Sequence, residues 1–123
     1  MPSSHRKQRG AETQRLVADY MREHGWPWAT DVGAGRTGSD ILNVPGLKVE
    51  VKARRDFSVT SWLRQASAGE IPGLPCVVQR PDGYGPAKIE DWPMIFRLGD
   101  GIILLRQAGY GDPLPELLVP EEG

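Results

Sequence analysis

The sequence predicts an α/β sandwich built around a mixed sheet, and three observations carry that expectation. Residues 8–24 place apolar side chains at helical spacing. Residues 47–52 alternate strictly between apolar and charged, the signature of a strand. The rest consists of short apolar runs punctuated by many of the 15 Gly and 11 Pro, which implies turns and short elements, not a helical bundle.

Taken in order, Thr13, Leu16, Val17, Tyr20 and Met21 form one stripe of the first helix, and Gly25 is placed to end it. Glu12 flanks that stripe, at the boundary with the polar face. Trp26 to Val32 suits a first strand, limited by Pro27 to an edge or a late start. Residues 33–38 are a glycine-rich loop with one arginine, Arg36. Ser39 to Leu42 begins a short second strand, and Asn43-Val44-Pro45-Gly46 is a turn. Leu47, Val49 and Val51 then share one strand face, and Lys48, Glu50 and Lys52 the other. Residues 58–68 suit a second helix with Trp62, Leu63 and Ala66 inward, closed by Gly69. Cys76 to Gln79 reads as a strand, residues 81–86 as a long turn, and Met94 to Leu98 as a last strand. Residues 100–108 fit a short closing helix, although the run Ile102 to Leu105 also suits a strand. One domain over residues 1–110 with an irregular tail over 111–123 is expected.

Composition narrows the function. The 123 residues are 39% hydrophobic and 25% charged, enough for one modest core. The single cysteine, Cys76, excludes an internal disulfide and any cluster of thiolate ligands; in the run Pro75 to Val78 it reads as a core residue. No segment is long and apolar enough to span a membrane. The basic cluster His5-Arg6-Lys7 and Arg9 has no apolar stretch behind it, so it is no signal peptide, and a soluble cytoplasmic protein is expected. Net charge is −1, but residues 1–65 carry 11 Lys/Arg against 7 Asp/Glu (+4), whereas residues 66–123 carry 4 against 9 (−5). The N-terminal half is therefore the one suited to a polyanion.

The constellation that carries chemistry lies in that half. Glu50 and Lys52, two apart on a strand, leave the same face about 6.6 Å apart. If residues 39–52 fold as a hairpin about Val44-Pro45, the partner of Asp40 falls at positions 49 to 51. Asp40 and Glu50 then face each other with β-carbons roughly 5 Å apart. Two carboxylates this close repel unless they share a divalent cation or a proton, and the cation suits an adjacent lysine better. Such an ion polarises a phosphate and acidifies a bound water. The Lys52 ammonium would orient or help deprotonate that water, or neutralise charge building on the phosphate.

Asp40, nine intervening residues, then Glu50-Val51-Lys52 resembles the motif of the PD-(D/E)XK nucleases. The leading helix with Glu12 and the helix after the motif fit that family's core of helix, three strands, helix, strand. The closest resemblance is to the archaeal-type Holliday junction resolvases, a subgroup also found in phages. It rests on the basic segment and helix Arg6-Lys7-Gln8-Arg9-Gly10-Ala11-Glu12, the Gly/Ser/Arg loop from Gly33 to Ser39, the Asp and the Glu-x-Lys, and it covers about residues 5–68. Ser39 stands where the family usually has Pro. The resemblance implies a restriction-endonuclease-like fold, and Mg²⁺ (or Mn²⁺) on Asp40, Glu50 and the Val51 carbonyl, with Glu12 reaching the metal directly or through water. It implies Lys52 as base or charge stabiliser, Gln65 as a polar residue aimed at the site, branched DNA as substrate and a homodimer. A phage-encoded form would work in the host cytoplasm.

Each feature has a plainer reading. Glu-x-Lys on a strand is common as an exposed charge ladder, and Asp40 and the Glu12 helix are what raise it above that. Glu12 also suits a solvated carboxylate near a helix start. Arg6, Lys7, Arg9, Arg36, Arg54 and Arg55 are candidate phosphate contacts, each also an ordinary surface charge taken singly. Trp26, Trp28, Trp62 and Trp92 read as core or interface anchors, not base-stacking platforms. The loop at 33–38 lacks the Gly-Lys-Ser/Thr ending of a nucleotide-binding loop, and His5 and His24 have no partners at metal-ligand spacing. Within the same chemistry a duplex nickase or restriction-like endonuclease is the alternative. From a different class, a non-catalytic DNA-binding protein is the other.

Overall fold

In the computed structural model, residues 2–33, 39–54, 58–70 and 72–112 are described. The elements are α1 (Pro2–Glu23), β1 (Thr30–Asp31), β2 (Ile41–Leu42), β3 (Leu47–Lys52), α2 (Val59–Ser67), β4 (Leu74–Gln79), a 3-10 helix (Pro86–Asp91), β5 (Met94–Ile95) and α3 (Leu98–Gln107). The mixed α/β architecture is the expected one.

The strands differ from expectation in extent and grouping. β1 and β2 pair antiparallel as a two-residue ribbon, while β3, β4 and β5 form a separate three-stranded mixed sheet, with β3 parallel to β4 and β5 antiparallel to it. The expected β2–β3 hairpin is reduced to a backbone bond from Asp40 N–H to the Val49 carbonyl (2.9 Å) and a tight turn closed by Leu47 N–H on the Val44 carbonyl. Gly46 in that turn has positive φ, as does Asn43 just before it. The first strand shrinks to Thr30–Asp31 because the Trp26 to Ala29 segment is spent on a turn, Ala29 N–H bonding the Trp26 carbonyl. Trp28 is 76% exposed, so it is no core anchor; Trp62 and Trp92 are buried as expected. The Ile102 to Leu105 run is helical, in α3, and the 3-10 helix lies beyond the expected turn. Of the expected tail over 111–123, residues 113–123 lie outside the described residues.

Both faces of the sheet are covered. α1 packs on one through Val17, Ala18 and Met21 against Val49, Val51 and Cys76, which with Ile41, Val44, Ala29 and Trp92 make the main core. The β3–α2–β4 crossover lays α2 on the other, with Trp62 and Ala66 buried there. The charged face of β3 is therefore not a solvent face. Lys48 is buried, its ammonium donating to the Ser67 carbonyl (3.2 Å) and to the Ala68 carbonyl at the end of α2. There it offsets the negative end of the helix dipole and satisfies carbonyls that the helix leaves unpaired. Burial pushes the Cys76 thiol up to about 12, so it stays a protonated core group. No helix among the described residues is long and apolar enough to cross a membrane.

Candidate functional site

β3 positions the centre of the site. Its even-numbered residues face α2, as Lys48 demonstrates, so Glu50 and Lys52 emerge on that face. The Lys52 ammonium lies 3.3 Å from Glu50 Oε1, and both side chains are largely buried. Asp40, just before β2, sits at the free edge of β3. Its Oδ2 accepts a 2.7 Å bond from Val51 N–H.

The ladder explains why that edge is open to it. Arg80 N–H donates to the Lys52 carbonyl (2.7 Å), so the backbone groups of the even residues of β3 turn toward β4. Those of Val49 and Val51 turn the opposite way, where Asp40 takes the Val49 carbonyl with its N–H and the Val51 N–H with its carboxylate. The Val51 carbonyl lies along this same edge.

The carboxylates are electrostatically strained. Burial holds the Asp40 carboxyl above the ordinary aspartate value, against the opposing pull of the Val51 hydrogen bond and the Lys52 charge. Glu50 is raised too, first by burial and then by the neighbouring Asp40 charge, with Lys52 lowering it. Asp40, Glu50 and Lys52 are thus one electrostatic group.

Glu12 is not brought into it. Its Oε1 lies 3.6 Å from the guanidinium of Arg80, a buried residue whose side chain reaches the α1 face of the sheet. Glu50 leaves the opposite face, which is the physical reason the two carboxylates stay apart. Among the described residues no three His, Cys, Asp or Glu side chains gather as a cation site. Gln65 is exposed beside the buried stripe of α2.

A cavity of about 620 Å³ opens beside β3, lined by His5, Arg6, Arg9 and Gly10 of α1, by Val51 to Arg54, and by Asp82. It lies beyond the carboxyl ends of the parallel strands β3 and β4, the usual place for a ligand in such sheets. Among the described residues, Arg6, Arg9, Lys52 and Arg54 give it a positive lining against one acid, Asp82. Lys7 is exposed on α1, and Arg36 and Arg55 lie outside the described residues.

Sequence reasoning missed three polar residues near the site. Arg80 bonds Thr13 Oγ1 (3.2 Å) and the Tyr84 carbonyl (3.2 Å) and lies 5.4 Å from the centre of the Trp92 ring. Gln79, opposite Lys52 in register and 1% exposed, donates to the Arg54 carbonyl (3.3 Å) and so ties down the segment after β3. His5 lines the cavity. A polar residue in an apolar strand run, as Gln79 is, was the available signal; Arg80 follows a strand like any surface arginine.

No family model, curated protein or solved structure matches the chain.

Proposed function

We propose that this chain is a metal-dependent DNA endonuclease with a restriction-endonuclease-like fold, acting on branched DNA and most of all on four-way junctions. The observation that carries this reading is the meeting of Asp40, Glu50 and Lys52 next to a cavity lined by cations. Two raised carboxylates and the neighbouring Val51 carbonyl are a hard-oxygen donor set, and a divalent cation would relieve the carboxylates' repulsion. Asp40 Oδ1, Glu50 and the Val51 carbonyl would hold Mg²⁺ or Mn²⁺, which supplies Lewis acidity toward a phosphate and an acidified water. In the hydrolysis, water adds to phosphorus and one P–O ester bond breaks, leaving a phosphate monoester and a hydroxyl. Lys52 would orient that water or offset the charge building on phosphate oxygen. The Val51 N–H bond fixes the Asp40 carboxylate. Arg6, Arg9 and Arg54 would hold the flanking phosphates.

A homodimer goes with this reading, since a junction is cut symmetrically. The exposed apolar residues Leu98, Ile102, Ile103 and Leu105 of α3 offer a face for it.

The test is cleavage of labelled four-way junction and matched linear duplex in Mg²⁺ and in EDTA, with wild type and Glu50→Ala. Paired nicks confined to the junction, dependent on metal and lost in the variant, are expected. Cutting of both DNAs would keep the nuclease and remove the junction preference. No cutting by well-folded wild type would leave a DNA-binding protein. Separately, Arg9→Ala and Arg54→Ala should each weaken DNA binding evenly across sequences and reduce the slope of log K against log salt by about 1. An unchanged slope in both would remove the cavity from the DNA path.

A further inference from the structure

Resting on the nucleic-acid reading above, we infer that Gly10 is a notch in α1 through which a sugar-phosphate strand reaches the helix backbone. The smallness of this residue then sets how closely DNA seats in the cleft.

Glycine is a poor helix former, second only to proline. Yet Gly10 lies well inside the 22-residue α1, away from both ends, where no cap or turn calls for it. Its backbone is not in the left-handed region that accounts for Gly25 and Gly46. Packing does not require it either, because a Cβ placed there meets no atom within 4 Å. For folding alone, alanine would serve better.

What Gly10 faces is the cavity. It lines the wall together with Arg6 and Arg9, in a cavity that Lys52 and Arg54 also line. Arg6 and Gly10 are one turn apart on the same stripe of the helix. A missing side chain there leaves the helix wall open in a cavity lined by cations, which is the use of glycine where a ligand must approach backbone closely. Among the described residues the lining contains no Phe, Tyr or Trp on which a base would stack, so the phosphate-sugar chain is the part of a nucleic acid that these residues suit.

The test uses the full chain as Gly10→Ala and Gly10→Leu, with Arg9→Ala as reference. Binding of labelled four-way junction and duplex is read by fluorescence anisotropy in EDTA, and each variant is melted. Gly10→Ala should raise Tm by about 4 °C, and Gly10→Leu should melt no lower than wild type. Gly10→Leu should nonetheless bind at least roughly tenfold more weakly, with Gly10→Ala in between. Stability and binding moving in opposite directions is a pattern that a structural glycine does not produce. Gly10→Leu binding within twofold of wild type, while Arg9→Ala binds weakly, would overturn the notch and leave the nucleic-acid reading intact. A binding loss that tracks a fall in Tm in both variants would overturn it as well. Wild type that fails to bind either DNA would overturn the nucleic-acid reading itself, and the notch with it.

Discussion

In EDTA at neutral pH, Glu50→Gln should melt a few degrees above wild type, and the gain should fade as the pH falls. Burial and the Asp40 charge both disfavour ionised Glu50, and Lys52 offsets them only in part. The native pKa therefore lies above the unfolded one. Between those two values the native state binds more protons, so wild-type stability is greatest below the ordinary glutamate value and is lost as pH rises through the raised native value. Glutamine carries no such penalty. The gain is present at neutral pH and should vanish below the ordinary glutamate range. Asp40→Asn should shift the same way, since burial raises Asp40 too, against the Val51 N–H bond and the Lys52 charge.

Mg²⁺ should reverse the order. A ligand at a hundred times its Kd adds about 2.7 kcal/mol to a protein that binds it only when folded. Wild type should gain that and Glu50→Gln little, so the two melting curves should cross as Mg²⁺ is added. Thermal melts across pH and Mg²⁺ concentration check this. A Glu50→Gln variant less stable than wild type in EDTA would mean that Lys52 already neutralises the pair and that no strain awaits a cation.

The proximity of Asp40, Glu50 and Lys52 was legible in the sequence because it depends on short-range rules. Strand periodicity fixes Glu50 and Lys52 on one face, and the turn at Asn43 to Gly46 returns Asp40 to their level whatever the rest of the chain does. Legibility ended where a partner came from far along the chain. Lys48 resembles Glu50 and Lys52 in the strand pattern, yet it is buried because α2 ends above it. Nothing within six residues of Lys48 announces that. The parallel pairing of β3 with β4 likewise follows from the α2 crossover, and it is this pairing that puts Arg80 beside the end of β3 and under α1. Glu12 was placed on the right helix, but its direction was set by a residue 68 positions later in the chain.

Arg80 should therefore be the polar side chain whose loss costs most. Its guanidinium bonds the Tyr84 carbonyl and Thr13 Oγ1, pairs with Glu12 and lies over Trp92, joining α1, β4 and the 3-10 helix. Arg80→Met keeps most of the apolar stem and removes every one of those contacts, leaving the buried Thr13 without that donor. A cost of about 2–4 kcal/mol is expected, read as a fall in Tm of roughly 10 °C or more. Glu12→Gln should cost under ~1 kcal/mol, since solvent screens a carboxylate this exposed. The pair of variants then separates two roles for Glu12. If Glu12→Gln melts like wild type but cuts DNA at least roughly a hundredfold more slowly, this carboxylate acts in the chemistry and Arg80 merely holds it until substrate or cation arrives. If cutting survives, Glu12 serves as an anchor for Arg80, and the chemistry rests on Asp40, Glu50 and Lys52. An Arg80→Met variant melting within a degree or two of wild type would sink the claim that this network fastens α1 to the sheet.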